Sequence, residues 1–296
     1  MLLWILLAVV VASLVVAGVV RVAWLRSLRN IPRPVVSTDL PGRVARAADA
    51  LGSADVWRPS TEDGAPDGAA AIEAALIAGE AERALAVAEA AVAAAPDAAA
   101  PRRWLGWALV ASGQPAAALA ELARAVRDDH PLAHYVAARA EHLAFEHAAG
   151  AQGAIPPLVT TGDLAVVTLA RGRGAAAWIA GGQDRQLSAA DVRGAIAEHR
   201  EVTARCLDRA LAALAARPGF VEAGYLAARL AVKAGALAAA HRMFDALAPK
   251  LAGRPDAEAF ARDRRDLDDP KGAVAIASQP PAPPTAKRAR SLRVLR

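Results

Sequence analysis

Five residue pairs in this 296-residue chain share one offset. Gly79 and Gly113, Ala84 and Ala118, Leu85 and Leu119, Ala91 and Ala125, and Val92 and Val126 each stand 34 positions apart. A register of that length means that one supersecondary unit recurs, and that neighbouring units must stack to bury their apolar faces. Between the pairs, GEAERALAVAEAAVAAAPD and GQPAAALAELARAVRDDHP each read as a tight turn followed by an amphipathic helix. Another helical stretch precedes each, so the repeating unit is a helix–turn–helix pair and the predicted fold class is all-α. The residue types agree. Hydrophobic residues make up 55% of the chain but aromatics only 4%, and alanine, the best helix former, supplies most of the difference. Alanine buries little area, which suits closely packed helices better than a bulky core.

This pattern resembles the tetratricopeptide repeat, whose motif puts Leu-Gly in the first helix, Gly at the turn, Ala and a large residue in the second helix, and Pro near the end. The unit at about 99–132 carries Leu105-Gly106, Leu109, Gly113, Ala118, Leu122 and Ala125, with Pro131 one place beyond the family's proline. The unit at about 65–98 carries Gly79, Ala84, Ala91 and Pro96, with Ala71-Ile72 in place of Leu-Gly. Residues 132–149 supply a third first helix through Val136, Ala140, Leu143 and His147, and a last pair over 220–250 carries Ala227-Ala228, Gly235, Ala240 and Phe244. Ser188 and Asp191 form a capping box ahead of a long helix marked by Val192, Ile196, Val202, Cys206, Ala210 and Leu214, which ends before Pro218. Residues 255–267 read as a polar capping helix.

The resemblance implies a helical-hairpin solenoid whose first helices line a groove that receives a peptide or helix from another protein. Carried over position by position, the implied protein-binding groove is Glu73, Leu76 and Ile77 in the first unit, Arg103, Trp107 and Val110 in the second, and His134, Glu141 and Phe145 in the third. Trp107, Arg103 and Phe145 are of the types that become binding hot spots. The alternative for Trp107 and Phe145 is that they fill gaps between alanine-rich helices. The family's basic clamp for C-terminal carboxylates is not implied, because Trp107 stands where that clamp needs asparagine.

The chain opens with MLLWILLAVVVASLVVAGVV, twenty residues without a charge, followed by Arg21, Arg26, Arg29 and Arg33. Such a run is long enough to cross the hydrocarbon core as one helix. Trp4 and Trp24 stand where aromatic rings favour the two interfaces. Residues 1–24 are therefore expected to be a transmembrane helix rather than a cleaved signal, which calls for a basic start and a shorter apolar stretch. Arginines on the C-terminal side predict that the bulk of the chain lies in the cytoplasm, the protein being single-pass in an inner (cytoplasmic) membrane.

Residues 25–66 read as a juxtamembrane linker punctuated by Pro32, Pro34, Pro41, Pro59 and Pro66. One short helix is expected within it, from the spacing of Leu40, Val44, Ala47 and Leu51 with Pro41 at a first helical position. The repeats occupy 67–149, an insertion 150–187, further repeat-like helices and a cap 188–267, and a disordered Pro-rich basic tail 268–296. The insertion opens with Gly150, Gly153 and Pro156-Pro157 and sets apolar runs on either side of Arg171-Gly172-Arg173-Gly174, a pattern that allows a small β-hairpin. It lacks the third glycine of a dinucleotide fingerprint, since position 177 is Ala.

No residue pattern supports catalysis. His130, His134, His142 and His147 lie near Asp128, Asp129, Glu141 and Glu146, but there is no H-E-x-x-H and no cysteine pair for zinc. Cys206, the only cysteine, excludes an intramolecular disulfide and falls on the apolar stripe of its helix, where a thiol behaves as a small hydrophobe. G-x-S-x-G and phosphate-binding G-x-x-x-x-G-K motifs are absent. Accordingly no catalytic, metal or cofactor-binding residue is assigned, and no cofactor or enzymatic activity is expected. Lys287, Arg288, Arg290, Arg293 and Arg296 in the tail suit contact with anionic lipid; nucleic acid is not the expected partner. The sequence thus points to a membrane-anchored, bacterial-type adaptor that binds proteins through its groove, in the setting of envelope assembly. Two alternatives remain: an assembly factor facing the periplasm, resembling the repeat proteins of cytochrome c maturation, and a membrane-tethered enzyme with its site in the 150–187 insertion.

Overall fold

Gly79 and Gly113 set the architecture. Both have positive φ, 77° and 80°, a conformation that costs glycine nothing and other residues much. At the first, the Glu80 N–H reaches back to the Ala75 carbonyl (2.8 Å) and the Gly79 N–H to Leu76 (3.2 Å). At the second, the Gln114 N–H reaches Leu109 (2.8 Å) and the Gly113 N–H reaches Val110 (3.1 Å). This paired closure of the last carbonyls ends one helix and aims the chain back along it. A third such turn occurs at Gly235, with Ala236 N–H bonded to Ala231 O at 2.9 Å. The 34-residue register is thus the recurrence of one hydrogen-bonded reversal.

The computed structural model describes residues 39–125, 129–151, 189–255 and 257–268. Within them lie α1 (Leu40–Ser53), a 3-10 turn (Pro59–Thr61), α2 (Ala69–Ala78), α3 (Ala81–Ala94), α4 (Ala99–Ala111), α5 (Pro115–Arg124), α6 (Pro131–Ala151), α7 (Ala189–Ala216), α8 (Val221–Lys233), α9 (Leu237–Leu251) and α10 (Ala257–Asp268). Among the described residues there is no strand. Helices α2/α3, α4/α5 and α8/α9 are hairpins, α6 pairs with α7 across the chain between them, and each hairpin packs on the next. The expected span at 1–24, the start of the linker, the hairpin in 150–187 and the basic tail lie outside the described residues. So does Ser188 of the expected capping box. Among the described residues no helix is long and apolar enough to cross a membrane.

Small residues sit where helices cross. Ala84, Ala118 and Ala240, equivalent positions in three second helices, are each fully buried. A Cβ on Gly106 would stand 3.3 Å from Val136 Cγ1 and 3.5 Å from Leu122 Cγ, so the Leu-Gly of the second unit is the point where α4, α5 and α6 close on one another. The array ends in α10, whose Phe260 packs on Tyr225 and Phe244 with centroids 5.6 and 5.4 Å apart. Tyr225 also donates its hydroxyl to Asp263 at 2.7 Å.

The helix expected inside the linker forms as α1, with Leu40, Val44, Ala48 and Leu51 buried. Its destination was not legible. Rather than stacking on α2, its nearest helix in sequence, α1 packs across α9 and reaches α7 and α8. Leu51 lies over Gly224 of α8, where a Cβ would meet Leu51 Cδ2 at 2.8 Å. Arg43 pairs with Asp208 of α7 at 2.7 Å, and the Lys250 ammonium donates to the Ala54 carbonyl just past the helix end.

Replacing Gly106 by Val forces side chains into a crossing with no room for them. The expected loss is about 1–3 kcal/mol of stability, read as a lowered urea midpoint with little change in slope. An unchanged midpoint would mean that the three helices do not meet there.

Candidate functional site

Aromatic side chains from the middle of α4, the start of α6 and the turn before α8 come together. Trp104 and Trp107, one turn apart on α4, have centroids 5.5 Å apart. Trp107 meets Tyr135 of α6 edge-on at 5.6 Å, Tyr135 meets Phe220 at 5.1 Å, and Phe220, which precedes α8, meets Trp57 at 4.9 Å. Edge-to-face contacts of this kind add to the area that the rings bury. Burial pushes the Tyr135 hydroxyl's pKa up, and that hydroxyl accepts a 2.8 Å hydrogen bond from Arg139 one turn along.

Trp57 belongs to the segment 54–62, which straps the starts of α6 and α8 and touches α2. Its backbone N–H donates to the Gly219 carbonyl at 2.9 Å. Gly219 is needed there because a Cβ at that position would lie 1.8 Å from the Asp55 carbonyl oxygen. Trp57 packs 6.4 Å from the His130 ring and lies 5.7 Å below the Arg217 guanidinium. Further on, the Ser60 N–H donates to the Glu73 carboxylate at 3.2 Å, and Glu62 accepts from Arg217 at 2.7 Å and from His130 Nε2 at 2.6 Å. His130 has a second duty. Its carbonyl takes the first bond of α6 and its Nδ1 accepts from the Leu132 N–H at 3.1 Å, so the imidazole caps the helix and keeps its proton on Nε2, toward Glu62.

The residues implied by the resemblance divide into two groups. Glu73, Leu76, Trp107 and Val110 are 4%, 1%, 2% and 1% exposed. These four side chains are enclosed rather than lining an open groove as expected: α4 is buried from Trp104 to Ala111, because α2, α3, α5 and α6 flank it and the aromatic ladder covers its inner side. Trp107 fills space, and its Nε1–H finds no acceptor among the described residues. Burial pushes the Glu73 carboxyl's pKa up, against the opposing bond from Ser60. Ile77, Arg103, His134, Glu141 and Phe145 are partly exposed. Of these, His134 pairs with Asp129 at 2.7 Å, Glu141 pairs with Arg205 and with Arg209 (3.3 Å) of α7, and Phe145 packs against the core.

His130, His134 and His142 have separate partners, and among the described residues no group of three or more His, Cys, Asp and Glu side chains could hold a metal ion. His142 joins a buried charge cluster. Lys233, the last residue of α8, donates to Glu146 at 2.8 Å and stands 3.1 Å from His142 Nε2, each contact joining α8 to α6. Burial lowers the Lys233 ammonium to about 8. Cys206 on α7 is fully buried, which, with the Glu141 charge adding to it, raises the thiol to about 12 and keeps it protonated. A protonated thiol is a poor nucleophile.

Stacked hairpins closed by the same glycine turn, with alanine at the crossings, form a repeating array. Residues 75–141 match the tetratricopeptide repeat. The match runs from the end of α2 through α3, α4 and α5 into α6. Neither a curated protein nor a solved structure matches the chain.

The tetratricopeptide pattern assigns positions within a unit, and so it could not name the groups that complete this array from outside it. Trp57, Glu62, Arg217 and Phe220 were all missed. A tryptophan inside a Pro-rich stretch, and a phenylalanine directly after Pro218-Gly219, were the available signals.

Two measurements check this geometry. Adding a methyl group at Gly219 (Gly219→Ala) displaces the 54–58 backbone, so the Trp57 amide is expected to lose its hydrogen-exchange protection while amides in α4 keep theirs; retained protection at Trp57 would count against the strap contact. The Lys233 shift predicts a pH effect. Between the lowered value and the ordinary 10.5, the unfolded chain holds a proton that the folded one lacks, so stability rises with pH across that window. Cys206 opposes this above its ordinary 9.0. From about pH 7.5 to about pH 9 the wild-type chain should therefore gain on the order of 1 kcal/mol relative to Lys233→Met; parallel stability curves would refute it.

Proposed function

We propose that this chain is a membrane-anchored adaptor that binds protein partners through its tetratricopeptide array and serves in assembly at a bacterial envelope. The observation that carries the reading is the repeat match over 75–141, set in an array of stacked hairpins that extends to α9 and is capped by α10. Such arrays present an extended surface made from several units at once, which suits holding another polypeptide. The anchoring part of the reading rests on the uncharged run 1–20 with its flanking arginines, and the orientation on the side where those arginines fall.

Partners are expected at the partly exposed positions Ile77, Arg103, His134, Glu141 and Phe145, and not at the enclosed Trp107. The membrane is the expected partner of residues 1–24, and anionic lipid that of the basic tail. The experiment is crosslinking in cells that make the tagged chain, comparing wild type with an Arg103→Glu/Phe145→Glu variant shown to fold by its helical circular dichroism. Loss of one crosslinked protein from the variant alone supports the adaptor reading; identical captures refute this surface. Fractionation of the same cells tests the anchor: the chain should leave the membrane fraction when residues 1–24 are removed, and a chain that is soluble with them intact refutes it.

A further inference from the structure

The strap is held as a bound peptide is held. Its first part is extended, with φ −81° and ψ 151° at Ala54 and φ −115° and ψ 123° at Arg58, and it then closes into the 3-10 turn Pro59–Thr61. It attaches through main-chain groups, the Trp57 N–H on Gly219 O and the Ser60 N–H on Glu73, while two side chains take specific seats. Trp57 lies on Phe220 under Arg217, and Glu62 sits between Arg217 and His130. Main-chain bonds combined with seats for a few side chains are a common way for protein surfaces to recognise peptides. An aromatic anchor and a carboxylate held by arginine are typical of the groups that dominate such binding.

The receiving surface is shaped for a close backbone. Position 219 admits the Asp55 carbonyl only because it carries no side chain, and the carboxylate seat lies at the N-terminus of α6, where the helix dipole favours negative charge. The occupant keeps one side open to solvent. Val56 is 45% exposed, the only exposed large hydrophobic side chain among the described residues. The Arg217 side chain is 45% exposed, so its pairing with Glu62 is worth little in water.

We propose that residues 54–62 fill, in cis, a peptide-binding surface formed by Phe220, Arg217, Gly219, His130 and Glu73, and that the partner taken there in trans is a peptide bearing an aromatic side chain on an extended segment and, five residues on and past a tight turn, a carboxylate. The strap masks the surface until it is displaced. This deepens the adaptor reading and rests on it for a biological partner, but the binding itself can be tested with the purified full-length chain.

The probe is a fluorescent synthetic peptide of residues 54–63, ADVWRPSTED, titrated by anisotropy against the wild-type chain and a Trp57→Ala/Glu62→Gln variant. The variant alters the occupant and leaves the receiving surface intact. Because a tethered strap competes at high effective concentration, the peptide is expected to bind the variant at least tenfold more tightly than the wild type, and a peptide with the same two replacements is expected to bind neither. A variant that keeps its helical circular dichroism and does not bind ADVWRPSTED overturns the proposal. Should the double variant fail to fold, hydrogen exchange on the wild-type chain decides: Trp57 amide protection at least a hundredfold below that of α8 supports a displaceable strap, and equal protection overturns it. Cellular capture plays no part in these readings. A bound peptide with unchanged crosslinking would refute the adaptor surface and leave this one standing, and the reverse pattern would do the opposite.

Discussion

The structure depends on two helices, α4 and α8, having almost no free face. From Trp104 to Ala111 every residue of α4 is buried, and α8 is nearly as enclosed, with Gly224 beneath Leu51 and its last residue, Lys233, among the charges of α6. A helix surrounded in this way has to be apolar or small on every side, and from Trp104 onward α4 is built from tryptophan, leucine, glycine, alanine and valine. Burial of this kind stabilises through area and dispersion together. It also requires neighbours on every side, and the hairpin repeat alone supplies only part of them. The rest come from α1, the strap and α10.

That requirement explains the polar interior. Charged side chains drawn in among the first helices meet partners: Lys233 with Glu146 at 2.8 Å, Arg254 with Glu222 at 2.8 Å, and Arg229 with Asp263 at 3.7 Å. Each pair joins elements that are separate in sequence, α6 to α8, α8 to the turn after α9, and α8 to α10. Such pairs are weak sources of net stability, since desolvation offsets their attraction, but removing one partner leaves a buried charge exposed to that cost. Their effect here is to fix which face of α8 meets which neighbour.

The legible part of the fold was local. The glycine turns, the Leu105-Gly106 crossing, the short helix at Leu40, Val44 and Leu51 and the capping helix each left a pattern that a few residues carry: a turn type, a helical period, a polar face. The candidate site was legible only as a set of positions. The resemblance placed Trp107 on a groove-lining face and could not tell whether that face was open, because the groups that close it, Phe220 and Trp57, lie 113 residues on and 50 residues back in the sequence. Ile77, Arg103, His134, Glu141 and Phe145 keep some exposure because no comparable element covers them fully.

By itself the sequence determined the repeating unit, its helical class, its turns and the small residues at its crossings. These follow from backbone conformation and side-chain size, which act over a few residues and recur every 34. Only the tertiary structure decided that α1 passes its neighbour α2 to lie on α9, that the segment behind it straps the starts of α6 and α8, and that Trp107 becomes core. Those outcomes depend on which apolar faces remain uncovered once the hairpins have stacked, a property of the assembled surface that no local pattern contains.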